Sequence, residues 1–472
     1  MKIRHKEIEI KAENPFANCK LDRKQYADIL SDIVITYAEG FVLAINNEWG
    51  TGKTTFVKMW KQDLENCGFQ TIYFNAWEND FDNNPLVAIM SELKTLTNNK
   101  NEIIFKSVVE KGAILARNVL PALVKSVVKT YTGINTDTLL DGVENFTAGV
   151  TEIFEKEISE YTAKKKTVVE FKNELEKFIK KSETQNPLIF IIDELDRCRP
   201  DYAVDVLEQV KHFFSVSGIV FVLSIDKKHL ASSIKGYYGS DDINTDEYLR
   251  RFIDLEYSIP KPSNTKSFCA YLYDYYHFAD FFASDERKTH KVFENDGEMF
   301  LKMAVLLFDN SNLTLRQQEK IFALSRLVLS TFYSTQHTFS SLLFVLVYTK
   351  TMKNQIYEKL KTNIYELQEL CDIFEDLLVV DFRNHYGVNL YYVVALLLQL
   401  YNNNREHLNQ EQLLIYDADG KRTSPIKSKF EKKSEWNDYA SSFEHIYSQR
   451  NYNDLKLDYL LNKIDLMISI NK

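Results

Sequence analysis

The sequence predicts an α/β protein built on a buried parallel β-sheet and followed by a helical region. Between residues 41 and 225, short continuous apolar runs alternate with helix-like segments, as expected for parallel strands covered by helices on both faces. Beyond about residue 265 helical periodicity dominates. The whole chain of 472 residues has only 14 glycines and 8 prolines, which favours long helices and few irregular loops. A three-layer αβα core and a separate C-terminal all-helical region are therefore expected.

The predicted elements start from a lead-in segment at 1–40, which contains one helix at about 22–39. The first strand follows at 41–45, the core extends over 41–262, and the helical domain occupies 263–472. The other core elements predicted are a helix at 53–67, a strand at 70–74, a helix at 85–96, a strand at 187–192, a helix at 201–214 and a strand at 218–224.

A long segment at about 98–186 interrupts the core and is predicted to be a helical insertion. Helical periodicity at 103–129 is followed by a Thr-, Gly- and Asn-rich break near 130–150 and by a Lys/Glu-rich helix that ends at Lys181. Opposite charges spaced along that helix favour a solvated face with ion pairs. A nucleic-acid-binding face is the alternative.

The composition restricts the classes of function. The net charge of −9 gives no general attraction to nucleic acid, although a local basic face stays open. The 5 cysteines are scattered without a C-x-x-C pair, so neither a disulfide framework nor a zinc site is indicated. The longest uncharged apolar stretch, near 388–401, is too short for a bilayer and predicts a buried helix. The start of the chain lacks a signal-peptide core, so a cytoplasmic protein is expected.

A glycine-rich loop, Trp49-Gly50-Thr51-Gly52-Lys53-Thr54-Thr55, lies between the first strand and the next helix. Glycines let backbone N–H groups point at an anion, and the helix N-terminus adds a favourable dipole. Lys53 is expected to reach the β- and γ-phosphates of a nucleoside triphosphate, and the Thr54 hydroxyl to ligate Mg²⁺. A chance glycine turn is the alternative. The nucleotide-binding residues expected here are Asn47, Glu48, Trp49, Gly50, Thr51, Gly52, Lys53, Thr54 and Thr55.

Asn47 stands where the G-x-x-x-x-G-K-T pattern has a glycine. That glycine commonly has a positive φ, and asparagine is one of the few other residues that tolerate the left-handed region. Asn47 is therefore interpreted as a substitute for glycine. On this interpretation Asn47→Gly should preserve or improve nucleotide binding, whereas a large loss would mean that the side chain has a task of its own.

An acidic pair, Asp193 and Glu194, ends the apolar strand that begins near Pro187. Asp193 is expected to hold Mg²⁺ and Glu194 to position or deprotonate the attacking water, provided that this strand and the glycine-loop strand are neighbours in the sheet. An exposed acidic turn after a core strand is the alternative.

Six motifs in order resemble those of the KAP family of P-loop NTPases, over about residues 41–320. The acidic run 193–200 (DELDRCRP) resembles the family's acidic motif, and 49–54 (WGTGKT) resembles its phosphate cradle. The other similar segments are Phe74-Asn75-Ala76-Trp77-Glu78, Val222-Leu223-Ser224-Ile225-Asp226, Tyr248-Leu249-Arg250-Arg251-Phe252-Ile253 with Ser258-Ile259-Pro260, and Leu313-Thr314-Leu315-Arg316.

The resemblance implies a P-loop NTPase fold that binds ATP with Mg²⁺ and hydrolyses it. Many KAP proteins carry transmembrane helices between the cradle and the acidic motif, but the charged interval 98–186 holds no apolar run of membrane length. Soluble bacterial proteins similar to this family are often linked to defence against phage, together with partner proteins. A homo- or hetero-oligomer is therefore expected.

Other polar residues of these motifs have two interpretations each. Asp196 supplies a second acid or pairs with Arg197. Ser224 and Asp226 sense the γ-phosphate from a strand end or simply cap that strand. Asn75 and Trp77 shape the site or pack near the cradle.

The arginines of the later motifs are equally open. Arg250 or Arg251 acts as an arginine finger, in cis or on a neighbouring subunit, or the two form a surface pair. Arg316 contacts phosphate from the helical region, or it is a surface residue.

Two functions fit these features, and a third fits less well. The first is an ATP-hydrolysing switch or motor, because Glu194 has no evident task in a protein that only binds nucleotide. The second is a nucleotide-gated assembly scaffold with slow or no turnover. A small-molecule phosphotransferase is disfavoured because no acceptor pocket is evident, and an ABC-type ATPase is disfavoured because the chain has no Leu-Ser-Gly-Gly run.

Overall fold

The computed structural model describes residues 8–118, 147–181, 186–262, 264–378, 388–405, 410–429, 438–449, 452 and 454–467. By its internal contacts the chain separates into two compact units, one within Glu7–Lys261 and one that begins at Pro262. The first unit holds a five-stranded sheet, and the second is mainly helical.

A five-stranded sheet forms the centre of the first unit. Its strands are β1 (Val42–Asn46), β2 (Thr71–Asn75), β3 (Leu188–Asp193), β4 (Ile219–Ile225) and β5 (Leu255–Tyr257). They are arranged in the order β2-β3-β4-β1-β5, and every neighbouring pair is parallel. The predicted parallel α/β core is confirmed, with each predicted strand within one or two residues of its observed bounds.

The position of β4 corrects one expectation. β4 lies between β1 and β3, so the assumption that the glycine-loop strand and the acidic strand are direct neighbours is wrong. Ile45 and Asp193 both pair with Ser224 of β4. Their backbones are therefore separated by two strand spacings, about 10 Å, which side chains from both strands can bridge.

Helices cover the sheet on both faces. On one face lie α1 (Lys24–Thr36) and α2 (Lys53–Asn66), whose Leu30 and Trp60 pack with Ile191 of β3. The opposite core cluster includes Phe190 of β3. The helices on that side are α3 (Pro85–Lys94), α4 (Glu102–Asn118), α5 (Thr147–Lys180), α6 (Pro200–Gln209), α7 (Lys227–Tyr238) and α8 (Thr245–Leu249).

β3 shows why its sequence is apolar throughout. Ile189 and Ile191 belong to the core cluster on one face of the sheet, and Phe190 and Ile192 belong to the cluster on the other. Because side chains alternate along a strand, a strand covered on both faces needs apolar residues at every position. All six residues of β3 are buried, including Asp193 at its end.

The helical insertion packs against the core through α4 and α5. Phe105, Phe171 and Phe178 are buried there, while Lys177 pairs with Glu174 at 2.7 Å on the solvated side of α5. The charge pattern thus marks a solvated face, as predicted. Residues 119–146 lie outside the described residues, and most of the predicted break near 130–150 falls among them. The predicted end of the break near residue 150 is wrong, because the helix already begins at Thr147.

In the described part of the second unit, the regular elements are helices and one short antiparallel strand pair, Ile415–Tyr416 with Arg422–Thr423. The apolar stretch near 388–401 forms a buried helix, as predicted. The helices are α9 (Thr265–Tyr275), α10 (Ala279–Phe282), α11 (Asp285–Lys288), α12 (Asp296–Asp309), α13 (Leu315–Leu329), α14 (Ser340–Met352), α15 (Asn354–Lys361), α16 (Leu367–Leu378), α17 (Leu390–Asn404), α18 (Tyr439–Ser448) and α19 (Asp458–Ile464). Among the described residues, no helix has both the length and the apolar content needed to cross a membrane.

Candidate functional site

The glycine loop connects β1 to the first turn of α2 at the carboxyl edge of the sheet. Gly50 and Gly52 have φ values of 79° and 82°, a left-handed conformation that strains any residue with a Cβ. Asn47 is not among the residues with positive φ. The expectation that Asn47 replaces a left-handed glycine is therefore wrong.

Asn47 acts through its side chain instead. Its Nδ2 donates to the carbonyl oxygen of Ile259 at 2.8 Å, and its Oδ1 accepts from the N–H of Ile259 at 2.9 Å. Ile259 follows β5 and precedes Pro260 near the end of the first unit. The amide therefore fastens the start of the glycine loop to the segment through which the chain leaves this unit.

Lys53 is buried at the start of α2, and its ammonium folds back onto the loop. Its Nζ donates to the carbonyl oxygens of Asn47 at 2.5 Å and of Glu48 at 3.2 Å. Burial lowers the pKa of Lys53, and the nearby carboxylates of Asp196, Asp226 and Asp193 oppose that shift. The Lys53 cation and the acidic side chains at or just after the ends of β3 and β4 are thus brought within electrostatic reach of one another.

Asp193 is buried and held in place at the end of β3. Its Oδ2 accepts a hydrogen bond from the Tyr73 hydroxyl at 2.9 Å, and its Oδ1 accepts one from the Glu194 N–H at 3.0 Å. Burial, and then the Asp193 carboxylate, raises the pKa of Tyr73, so this phenol stays a hydrogen-bond donor. Beside Asp193 in the sheet, Ser224 is fully buried, and its Oγ has no hydrogen-bond partner among the described residues.

Glu194 adopts a left-handed backbone conformation with φ 60° directly after β3, which is uncommon for a residue with a side chain. Its Oε1 lies 2.7 Å from Nη1 of Arg197, and its Oε2 accepts from Nδ2 of Asn75 at 3.4 Å. Burial raises the pKa of Glu194, and the charge of Arg197 counteracts this. Arg197 lies close to the rings of Trp49 and Trp77, at 5.9 and 5.5 Å from their centroids.

Asp196 and Asp226 both contact Trp49 of the loop. The Trp49 indole N–H donates to the buried carboxylate of Asp196, and its backbone N–H donates to Oδ2 of Asp226 at 3.0 Å. Asp226 also caps the N-terminus of α7, and His229 of that helix stacks on the Trp49 ring at 3.6 Å. Of the two interpretations of Asp196, its pairing with Arg197 is wrong, because Arg197 pairs with Glu194.

The remaining candidates are half-buried or exposed. Thr54 and Thr55 occupy the first turn of α2 and are half-buried, and Glu48 is exposed. Arg250 and Arg251 follow α8 and are exposed. Arg316 is exposed in the first turn of α13, in the second unit.

Arg23 is a residue that motif matching does not find. This buried arginine precedes α1, and its guanidinium donates to the carbonyl oxygens of Thr51 and Gly52. An isolated arginine in a lead-in segment carries no pattern, so only the structure reveals its contact with the loop.

The comparison with known protein families agrees with this geometry. Residues 23–369 match the family model of the KAP family P-loop domain, which is more than half of the chain. The chain belongs to the KAP family of P-loop NTPases. No curated protein matches the chain.

Among solved structures, the chain matches the Aeropyrum pernix ORC2 protein, a structure of ADPNP–ADP complexes, at 13% sequence identity. The match covers 95% of this chain and 94% of that one with a TM-score of 0.30. A TM-score this low does not indicate a shared arrangement of the whole chain.

As a KAP P-loop NTPase, the protein binds nucleotide, and the donor set at the carboxyl edge of its sheet suits the Mg²⁺ that generally accompanies it. A carboxylate on Asp193 and a hydroxyl on Thr54 are the hard oxygen donors that Mg²⁺ prefers. Asp193 is buried and accepts two hydrogen bonds, which hold its carboxylate in a fixed position close to Lys53.

Proposed function

We propose that this KAP protein is an Mg²⁺-dependent ATPase that acts as a nucleotide-driven switch or motor in a larger assembly. The observation that carries the proposal is the joint position of the glycine loop, Lys53 and the acidic pair at one edge of the sheet. A protein that only binds nucleotide has no use for a second acid beside the metal-binding one, and Glu194 supplies that acid.

Each residue has a definite role in this proposal. The backbone N–H groups of the loop and Lys53 bind the phosphates, while Thr54 and Asp193 hold Mg²⁺, which when bound neutralises charge on the β- and γ-phosphates. Glu194 accepts the proton of the attacking water as the phosphate–phosphate bond breaks. Ser224, a buried hydroxyl next to Asp193 near the end of β4, responds to the γ-phosphate in this proposal.

The exposed arginines suit a contribution between subunits. Arg250 and Arg251 follow α8 at the surface, where a neighbouring subunit can use one of them as an arginine finger. Arg316 is the further candidate for a phosphate contact. An oligomer, of this chain alone or with other proteins, is therefore part of the proposal.

A second function, a nucleotide-gated scaffold with slow turnover, is favoured by one contact. The ion pair between Arg197 and Glu194, at 2.7 Å, engages the oxygen that would accept the proton from water. While this pair persists, Glu194 is a weaker base and hydrolysis is slow.

Steady-state phosphate release distinguishes the two functions. Wild type and Glu194→Gln are compared with Mg-ATP, and Glu176→Gln, an ion-paired glutamate on α5, is the matched control. The ATPase function requires release that Glu194→Gln lowers at least tenfold without weakening nucleotide binding, while Glu176→Gln stays near wild type. If wild type binds Mg-ATP but releases no phosphate above background, alone or with its co-purified partners, the scaffold function is supported and the ATPase function is rejected.

Antiphage defence is the biological setting that we propose, and the similarity to soluble KAP proteins supports it. Cells that express wild type or Lys53→Ala from the same plasmid are challenged with a panel of phages. Protection that requires Lys53 supports this setting, and equal plaque counts with both proteins reject it for the phages used.

A further inference from the structure

Arg23 binds the glycine loop through its carbonyl oxygens. Its Nη2 donates to the carbonyl oxygen of Thr51 at 2.7 Å, and its Nη1 donates to that of Gly52 at 3.2 Å. The Arg23 side chain is only 5% exposed. A planar guanidinium is suited to this task because it presents two donors in a fixed fork.

The burial of this cation is unfavourable unless the charge or the donors are used. Among the described residues no carboxylate is paired with Arg23, and its Nε has no hydrogen-bond partner. Burial lowers the pKa of Arg23 accordingly. A neutral side chain of similar size would pack at this place with a smaller desolvation penalty, so filling space does not account for an arginine.

The two carbonyl contacts help to fix where the next N–H groups point. The carbonyl oxygen of Gly52 also accepts from the N–H of Phe56 at 3.1 Å, so α2 and Arg23 hold that group together, while Arg23 donates to the carbonyl oxygen of Thr51. In a trans peptide the C=O bond and the following N–H bond point in opposite directions. When Arg23 holds the carbonyl groups of Thr51 and Gly52, the N–H groups of Gly52 and Lys53 point away from the guanidinium. Among the described residues, no hydrogen bond uses these two N–H groups as donors, and loop N–H groups at this position bind phosphate in P-loop proteins.

We propose that Arg23 is a positioning residue that aligns the N–H groups of Gly52 and Lys53 for phosphate before nucleotide binds. The proposal rests on the proposed function, because it presupposes that the loop binds nucleotide. A loop that is already ordered loses less conformational freedom on binding, so affinity rises without any contact between Arg23 and the ligand. The single cation also joins the lead-in segment to the phosphate loop.

The test compares the affinity of wild type, Arg23→Met and Arg23→Lys for Mg-ADP and for magnesium pyrophosphate by calorimetry. Arg23→Met keeps the approximate length of the side chain but removes both donors and is expected to raise both Kd values by roughly ten- to a hundredfold. An equal loss for the two ligands is expected because the effect acts on phosphate alone. Arg23→Lys keeps the charge but not the fork, so it should recover only part of the affinity.

Amide hydrogen exchange of the unliganded proteins separates positioning from general destabilisation. In Arg23→Met, peptides that cover residues 47–55 should exchange faster while those of β3 do not change. The matched control is Lys24→Met, which removes a neighbouring half-exposed cation paired with Asp28 and Asp63 and should leave both Kd values within twofold of wild type.

The proposal is overturned if Arg23→Met binds both ligands within threefold of wild type. It is equally overturned if, in Arg23→Met, amide exchange in β3 accelerates by the same factor as in the loop. Affinity equal to wild type in Arg23→Lys would overturn it too. If Arg23→Met does not fold, Arg23→Gln, which keeps one donor, takes its place with the same criteria. If wild type itself binds neither ligand, the proposed function fails rather than the role of Arg23.

Discussion

The side chain of Asn47 and the backbone of Ile259 form a closed pair of hydrogen bonds between residues 212 positions apart. The neighbouring Asn46 donates to Glu256 at 2.7 Å, so two consecutive asparagines join the end of β1 to the segment around β5. This segment leads directly to Pro262, where the second unit begins. These hydrogen bonds therefore fix the start of the glycine loop to the segment that precedes Pro262.

Asn47→Gly is expected to weaken nucleotide binding, which reverses the direction predicted from the sequence alone. The substitution removes both bonds to Ile259 and adds backbone freedom at the start of the loop, so the free energy of unfolding should fall by about 1–3 kcal/mol. The Kd for Mg-ADP should rise severalfold. Chemical denaturation and calorimetry measure the two effects.

Asn47→Asp serves as the control for that prediction, because aspartate keeps an acceptor for the Ile259 N–H but has no donor for its carbonyl oxygen. It should lie between wild type and Asn47→Gly in stability. Binding by Asn47→Gly that equals or exceeds wild type would restore the interpretation of Asn47 as a substitute for glycine.

The strands and helices of the core can be predicted from the sequence, but the contacts between them cannot. Continuous apolar runs identify β3 and β4, since strands buried on both faces must be apolar at every position. The order of the strands depends on long-range pairing that no local pattern records, and the separation of β1 from β3 was missed for that reason. Single side chains such as Asn47 and Arg23 act at positions chosen by the fold, so their roles were missed too.

Lys53→Ala is expected to abolish binding of Mg-ADP. In the proposed function, the ammonium of Lys53, which lies on the carbonyl oxygens of Asn47 and Glu48, is the cation that binds the phosphates. Calorimetry should show no saturable binding by Lys53→Ala, whereas Lys61→Ala, which removes a cation paired with Glu65 on the same helix, should bind like wild type. Retained affinity in Lys53→Ala would refute the assignment of the loop.

Glu208→Gln is expected to stabilise the protein above neutral pH. Burial raises the pKa of Glu208, on α6, to about 7, with Asp205 as a further cause. A carboxyl group whose pKa is higher in the folded state favours folding at low pH, and this contribution is lost as the pH rises from about 4.5 to about 7. At pH 8 the gain should be on the order of 3 kcal/mol.

The pH dependence gives Glu208→Gln a distinctive signature. Its advantage over wild type in the free energy of unfolding should shrink as the pH falls toward 4.5. Glu102→Gln, an exposed glutamate paired with Lys106, should show no such trend. A constant difference between pH 5 and pH 8 would show that Glu208 does not titrate in this range.

Arg287→Met is expected to destabilise the helical unit by about 3–5 kcal/mol. The Arg287 side chain is 1% exposed; it pairs with Asp296, donates to the carbonyl oxygens of Ser334 and Gln336, and lies 4.1 Å from the ring centroid of Phe293. Removal of the cation leaves Asp296 without its ion-pair partner, although the Thr338 hydroxyl still donates to it at 2.8 Å, and leaves both carbonyl oxygens without this donor. The double variant Arg287→Met/Asp296→Leu should recover part of the loss in thermal denaturation, since it removes the unpaired charge; equal stability of Arg287→Met and wild type would contradict the prediction.

Arg197→Gln is expected to release Glu194 and to move the acidic limb of the ATPase pH profile to higher pH. The charge of Arg197 lowers the pKa of Glu194 against the effect of burial, so its removal raises that pKa. A general base must be deprotonated, and a higher pKa therefore requires a higher pH for half-maximal rate. Above that limb the freed and more basic carboxylate should raise the rate of phosphate release about threefold to tenfold.

The neighbouring Arg199 offers a matched control for Arg197→Gln, because its guanidinium bonds to Asp80 and Asn83 instead of Glu194. Arg199→Gln should leave the acidic limb of the profile where it is in wild type. A lower rate in Arg197→Gln at every pH, with an unshifted limb, would show that the guanidinium serves the reaction directly. In that case the ion pair with Glu194 would not lower the rate of hydrolysis, and it would no longer support the scaffold function.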